Sequence, residues 1–223
     1  MIFLFYPLFN LLKIHLLLTF FNAPKKCVVV QKEDSKMKNL VEPIKDKKQV
    51  EAIEQYLAKH SKRNQLIWVF GTNTGLRISD ILALNVEDVR NKQYVEIIEK
   101  KTKKYKRFPL NDKLKRLIKE YLIIRDKMYS ISDDEPLFIG KKHKRLHRSQ
   151  VYRFINDVCR NLGINVNAGT HTMRKTFGYH HYKQNNDVAL LQKIFNHSSP
   201  SITMFYINIA QDELDESYIN FEL

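Results

Sequence analysis

The chain has 223 residues, enough to bury a full core in one domain without disulfide staples. Its two cysteines, Cys27 and Cys159, exclude a disulfide framework. No Cys/His cluster has zinc-ligand spacing, so a reducing, cytoplasmic setting is expected. With 38 Lys+Arg against 24 Asp+Glu and a formal net charge of +14, the partner to expect is a polyanion, either nucleic acid or an anionic membrane surface.

Residues 1–24 are apolar but interrupted by Asn10, Lys13 and His15. A membrane anchor and a signal peptide are two readings, and each lacks part of its usual pattern. The third, which we favour, is a leader that is not normally translated. Lys32-Glu33-Asp34 can be encoded by a purine-rich ribosome-binding sequence ahead of Met37, and domain-like patterning begins just after it. Residues 1–36 are therefore expected to be a leader and 37–223 the functional domain.

From Asp46, an N-cap residue, Val50, Ile53, Tyr56 and Leu57 recur at helical spacing. A second helix is predicted over Lys62–Asn73, stopped by Gly75, and a short third over Ile78–Leu84. Tyr94-Val95-Glu96-Ile97-Ile98 alternates and is β-branched, which predicts a strand. The lysine-rich turn 100–106 leads into Arg107–Leu110, giving a β-hairpin with a cationic tip. Helices resume from Asn111 to Met128, with an extended edge segment at Pro136–Ile139. Ser149 is the predicted cap of a helix to Leu162, with Gly163 as its stop. Further helices follow Thr170, Asp187 and Pro200, and an acidic one spans Asp212 to Phe221. The fold class is thus mainly α with a small antiparallel β-hairpin, and no internal repeat interrupts it.

Several polar residues stand out. Arg77 lies in Thr74-Gly75-Leu76-Arg77, followed by Asp80. His171 and Arg174 are three apart, which puts them on one side of a helix. His197 follows in Asn196-His197-Ser198-Ser199, and Tyr206 comes nine residues after it. Taken singly, each has an ordinary explanation: a surface arginine, a solvated polar face, a helix cap, a tyrosine at the edge of the core. Together, two guanidiniums, two imidazoles and a phenol suit attack on a DNA phosphate without a metal. Arginine grips phosphate oxygens, histidine moves protons near neutral pH, and tyrosine is a nucleophile.

In this order and spacing the set resembles the tyrosine recombinase (phage integrase) family, over about residues 40–210. The resemblance also points to Lys101, eight residues before Pro109, as the hairpin lysine. It departs from the family pattern at Asn196, where glycine is usual, and at Asn208, where histidine is frequent. The N-terminal helical domain that closes the DNA clamp in most members has no counterpart in this sequence. The chain is therefore similar to the short, catalytic-domain-only members.

The resemblance implies a site-specific recombinase or integrase acting through a 3′-phosphotyrosyl intermediate. Tyr206 would be the nucleophile, and Arg77 and Arg174 would clamp the phosphate. Lys101 would be the general acid, with Lys100, Lys103 and Lys104 as alternatives. His171 would transfer protons, His197 would hydrogen-bond the phosphate, and Asp80 would orient a neighbour. Neither a cofactor nor a metal is implied. Partners would be double-stranded DNA, three further copies forming a homotetramer on two sites, and accessory DNA-bending or directionality proteins. Lys103, Lys104, Lys106, Lys141, Lys142, Lys144, Arg145 and Arg148 are expected along the DNA backbone. The competing readings are a DNA-binding accessory protein that has lost cleavage, and a type IB topoisomerase.

Overall fold

Five consecutive apolar residues, Leu66 to Phe70, cannot share one face of a helix, so a helix holding them must be buried all round. The computed structural model describes residues 40–128, 130–140, 143–209, 216 and 218–222. In it those five side chains lie on α2 (Lys62–Thr74), each at most 1% exposed. Around this central helix pack α1 (Lys47–His60), α4 (Asp112–Met128) and α6 (Thr172–Asn185). α1 is capped by Asp46, which accepts from Lys48 N, and it buries Ile53 and Leu57. α6 approaches α2 so closely that a Cβ at Gly71 would stand 2.7 Å from Met173 Cβ.

Gly75 ends α2 in the left-handed conformation at φ 61°, which glycine adopts without strain. The chain then enters the short α3 (Ile78–Ile81), with Arg77 at its N-cap. β1 (Tyr94–Ile98) and β2 (Tyr105–Pro109) form the antiparallel hairpin, with Tyr94 opposite Pro109 and Ile98 opposite Tyr105. Beyond α4 come α5 (Arg148–Asn161), α6, α7 (Val188–Phe195) and α8 (Pro200–Tyr206). A large core runs from Ile44 to Met173. A smaller one is built on Leu191, Phe195, Ile207 and Ile209, with Phe177, Met204 and Tyr206 packed against it. That second core seats α8.

The element order follows the sequence pattern, with local differences. α3 is one turn, shorter than the pattern over 78–84, because Arg145 takes the carbonyls of Leu82, Ala83 and Leu84 that a longer helix would use. β2 starts at Tyr105, two residues early. Pro136–Ile139 makes no strand. It contributes two isolated bridges, Asn85 to Pro136 and Ile139 to Arg145. The cap of α5 is His147 rather than Ser149: its imidazole accepts from Ser149 N, while Gln150 reaches back to His147 N. The leader 1–36 lies outside the described residues, as does most of the acidic C-terminal segment. Among the described residues no helix is long and apolar enough to cross a membrane.

Candidate active site

Arg174 sits one turn into α6, 2% exposed, at the junction of α2, α6 and α7. A guanidinium so deeply placed needs fixed acceptors. Its Nη1 donates to the carbonyl of Gly75 and its Nη2 to the carbonyl of Phe195, 2.8 Å away, and the group stacks on the Phe195 ring at 4.2 Å. Burial pulls its pKa down to about 10, and Tyr206 opposes that pull. Both carbonyls lie at helix C-termini, where acceptors are left over by the helical pattern and the dipole favours a cation.

Tyr206 is the last residue of α8. Ser199 caps this helix through Ile202 N, and Pro200 occupies its first turn. The phenol stands 2.9 Å from His171 Nδ1, and His171 is the N-cap residue of α6. Burial raises the Tyr206 pKa, against the pull of Arg174 and Arg77. Burial, then Arg174 and Lys175, lower that of His171. The phenol therefore keeps its proton and faces a neutral imidazole. Lys175 Nζ donates to Asn208 Oδ1 at 3.1 Å and lies 5.2 Å from the centroid of the Tyr206 ring, fixing the chain just after the tyrosine.

His197 stands edge-on to Tyr206, with ring centroids 5.1 Å apart. Its Nδ1 is 3.1 Å from Thr203 Oγ1, and that hydroxyl donates to Ser199 O. With its proton spent, Thr203 accepts, so His197 carries its hydrogen on Nδ1 and leaves Nε2 as the free nitrogen. Burial and the charges of Arg174 and Arg77 push the His197 pKa down to about 4.

Arg77 completes this polar cluster, with Nη1 3.1 Å from Glu99 Oε2. The contact is charge against charge and lacks hydrogen-bond alignment. Asp80, 2% exposed, accepts the backbone N–H of Lys100 through Oδ1 at 3.0 Å. It thereby holds the hairpin turn next to Lys101, whose side chain is exposed. Among the described residues no group of three or more His, Cys, Asp or Glu is placed to hold a metal ion.

The basic residues divide. Lys103, Lys104, Lys144 and Arg148 are exposed. Lys106 turns inward: its ammonium donates to Ile194 O at 2.7 Å, and burial, with Arg174 next, lowers its pKa to about 8. Arg145 also holds backbone, bonding Leu82, Ala83 and Leu84 carbonyls through Nη1 and Asn85 Oδ1 through Nη2. Both differ from the expected phosphate-tracking role. In both cases the carbonyls lie at or just past a helix C-terminus, where the helical pattern leaves acceptors over. Lys141 and Lys142 lie outside the described residues.

The sequence pattern of the "Phage integrase family" matches residues 45–213. The chain belongs to this family of tyrosine site-specific recombinases. It is 41% identical over 181 residues to "Probable integrase/recombinase YoeC" of Bacillus subtilis, covering 81% of this chain and 96% of that protein. It is 31% identical over 162 residues to "Tyrosine recombinase XerC" of Thermodesulfovibrio yellowstonii, covering 70% of this chain and 54% of that one. The chain thus spans nearly all of the former and about half of the latter. Among solved structures, XerA recombinase superposes with a TM-score of 0.66 at 20% identity, over 82% of this chain and 65% of that one. XerH bound to palindromic difH substrate gives 0.64 at 24% identity, over 78% and 51%. The fold is that of a tyrosine recombinase catalytic domain.

For this recombinase the sequence reading missed three buried polar residues that bind the site together: Glu99, Thr203 and Lys175. Thr203 and Lys175 carry a helical signal, each three or four residues from a named site residue. Glu99, inside a lysine-rich run, carries none.

Proposed function

We propose that this chain cuts one strand of double-stranded DNA with Tyr206 and rejoins it to a second 5′ end. The Tyr206 oxygen bonds to phosphorus, the P–O5′ bond breaks, and a 3′-phosphotyrosyl link remains. The phenolic proton passes to His171 Nδ1, and the leaving 5′-oxygen takes a proton from Lys101. The observation that carries this is the hydrogen bond from Tyr206 to a neutral His171 beside the buried Arg174. Arg77 and Arg174 stabilise charge on the non-bridging oxygens, a task suited to guanidiniums already fixed in place. Asp80 steadies the turn that presents Lys101. His197 must donate from Nε2 to bind a phosphate oxygen, so it takes up a proton when DNA binds. The link conserves the phosphodiester bond energy, so rejoining needs no nucleotide hydrolysis.

Lys103, Lys104, Lys144 and Arg148 follow the DNA backbone in this reading. A homotetramer on two duplexes, aided by DNA-bending or directionality proteins in the cytoplasm, completes the proposal, supported by family membership. The intact set of polar groups counts against an accessory protein that has lost cleavage. The test is incubation with nicked duplexes drawn from repeats flanking its gene. A protein–DNA adduct resistant to denaturant, with recombinant products, supports the proposal. Relaxed plasmid without recombinants would point to a topoisomerase, and no adduct on a verified site would refute cleavage.

A further inference from the structure

Glu99 is a buried carboxylate of this site that the chemistry above leaves unused. It is 0% exposed, although Lys100, Lys101, Lys103 and Lys104 crowd the same turn. Burying a carboxylate costs several kcal/mol unless its oxygens are paired. Here the pairing falls on one oxygen: Oε2 accepts from Thr102 Oγ1 at 2.6 Å and Asn196 Nδ2 at 2.9 Å and lies 3.1 Å from Arg77 Nη1. Oε1 is buried without a hydrogen-bond partner, so each donor to Oε2 matters the more. Burial pushes its pKa up, but those donors and the charges of Arg77 and Lys106 outweigh it and hold the carboxylate ionised.

The three partners come from three separate parts of the chain. Arg77 follows the end of α2, Thr102 adjoins Lys101 in the hairpin turn, and Asn196 immediately precedes His197. Asn196 adopts φ 53° and ψ 41°, the left-handed region, as the C-cap of α7. Glycine would sit there with less strain. A glycine, however, would take one donor away from a buried carboxylate. The asparagine and the glutamate are therefore matched across 97 residues of sequence.

We infer that Glu99 is a positioning residue whose carboxylate, locked by Asn196, joins the Lys101 turn to Arg77 and the His197 loop. Lys101 then has both neighbours tied to buried carboxylates: Lys100 N–H to Asp80 and Thr102 Oγ1 to Glu99. Its backbone is fixed while its exposed side chain stays free to reach the leaving oxygen. The latch makes the general acid competent only when the phosphate clamp is assembled. This rests on the recombinase reading above.

The test compares wild type, Asn196→Gly and Glu99→Gln on nicked DNA whose scissile 5′-bridging atom is oxygen or sulfur. A thiolate leaves without being protonated, so the sulfur substrate bypasses the general acid. On oxygen, both variants should form adduct at least about tenfold more slowly than wild type. DNA affinity should stay within about twofold, since the phosphate-contacting charges are untouched. On sulfur the deficit should vanish. Asn196→Gly preserves the left-handed backbone, and a thermal melt with the affinity measurement confirms its fold. Variants as fast as wild type on oxygen would overturn the latch while leaving the recombinase reading intact. A deficit equally large on sulfur would also overturn it, because the defect would not pass through Lys101. Absence of adduct from wild type on both substrates would instead fail the underlying reading.

Discussion

Tyr206 Oη and His171 Nδ1 stand 2.9 Å apart in one chain, so the nucleophile meets its proton acceptor without help from a second protomer. The phenol's pKa is raised and the imidazole's lowered, each chiefly by burial. The pair is thus poised as neutral acid and neutral base. Replacing His171 by alanine should slow adduct formation by about 10²–10⁴. The acid limb of the pH–rate profile should lie below the ordinary imidazole value of 6.5 and disappear in that variant. Single-turnover rates across pH check both points.

Arg174 is as much structural as chemical, because one guanidinium satisfies the carbonyls of both Gly75 and Phe195. Lysine keeps the charge but not the fork. Arg174→Lys should destabilise the fold by about 2–3 kcal/mol through the lost charged hydrogen bond and an unpaired buried carbonyl. It should also cut cleavage by at least about 10². Urea titration measures the first and adduct kinetics the second.

The Thr203 hydroxyl, donating to Ser199 O, fixes the proton of His197 on Nδ1. Long-range proton–nitrogen NMR spectra of the DNA-free protein should show that tautomer, and an Nε2–H tautomer would contradict it. The ring's pKa is about 4 in the fold against 6.5 ordinarily. Between those values the unfolded chain binds more protons. Folding is therefore unpenalised by this group above about pH 6.5 and loses stability as pH falls towards 4, by less than the full shift implies because the ring is partly exposed to screening solvent.

Lys106 and Lys144 should behave oppositely, although sequence alone treats them alike. Lys106→Met removes the bond to Ile194 O, so it should cost about 1–2 kcal/mol of stability with little change in the salt dependence of DNA binding. Lys144→Ala should leave the melt unchanged and lower the slope of log affinity against log salt by about one. Binding isotherms at several salt concentrations separate the two.

Much of this site was legible from residues near one another in sequence. Asp46, Gly75, Asp187 and Pro200 mark helix ends by local chemistry, and the structure uses each of them so. His171 and Arg174 declare themselves by spacing. Partners distant in the chain do not. Glu99 carries no signal in its run of lysines, yet it is buried, and a donor that satisfies it, Asn196, stands 97 positions away in sequence. Arg145 reads as one more surface cation, but its partners lie about 60 residues earlier. His147 displaces Ser149 as a cap because an imidazole can accept a backbone N–H from the preceding position as well as a hydroxyl can. Composition predicts charge and periodicity predicts faces, but neither predicts which carbonyl a long cation will find.

The central claim is that Tyr206 is the atom-for-atom point of attachment to DNA. The most direct measurement is to trap the adduct on nicked DNA, digest it, and locate the modified residue by mass spectrometry, with Tyr206→Phe run in parallel. The account predicts a 3′-nucleotide on Tyr206 and, for Tyr206→Phe, no adduct but undiminished DNA binding. An adduct mapped to another residue, or one that survives in Tyr206→Phe, would contradict it.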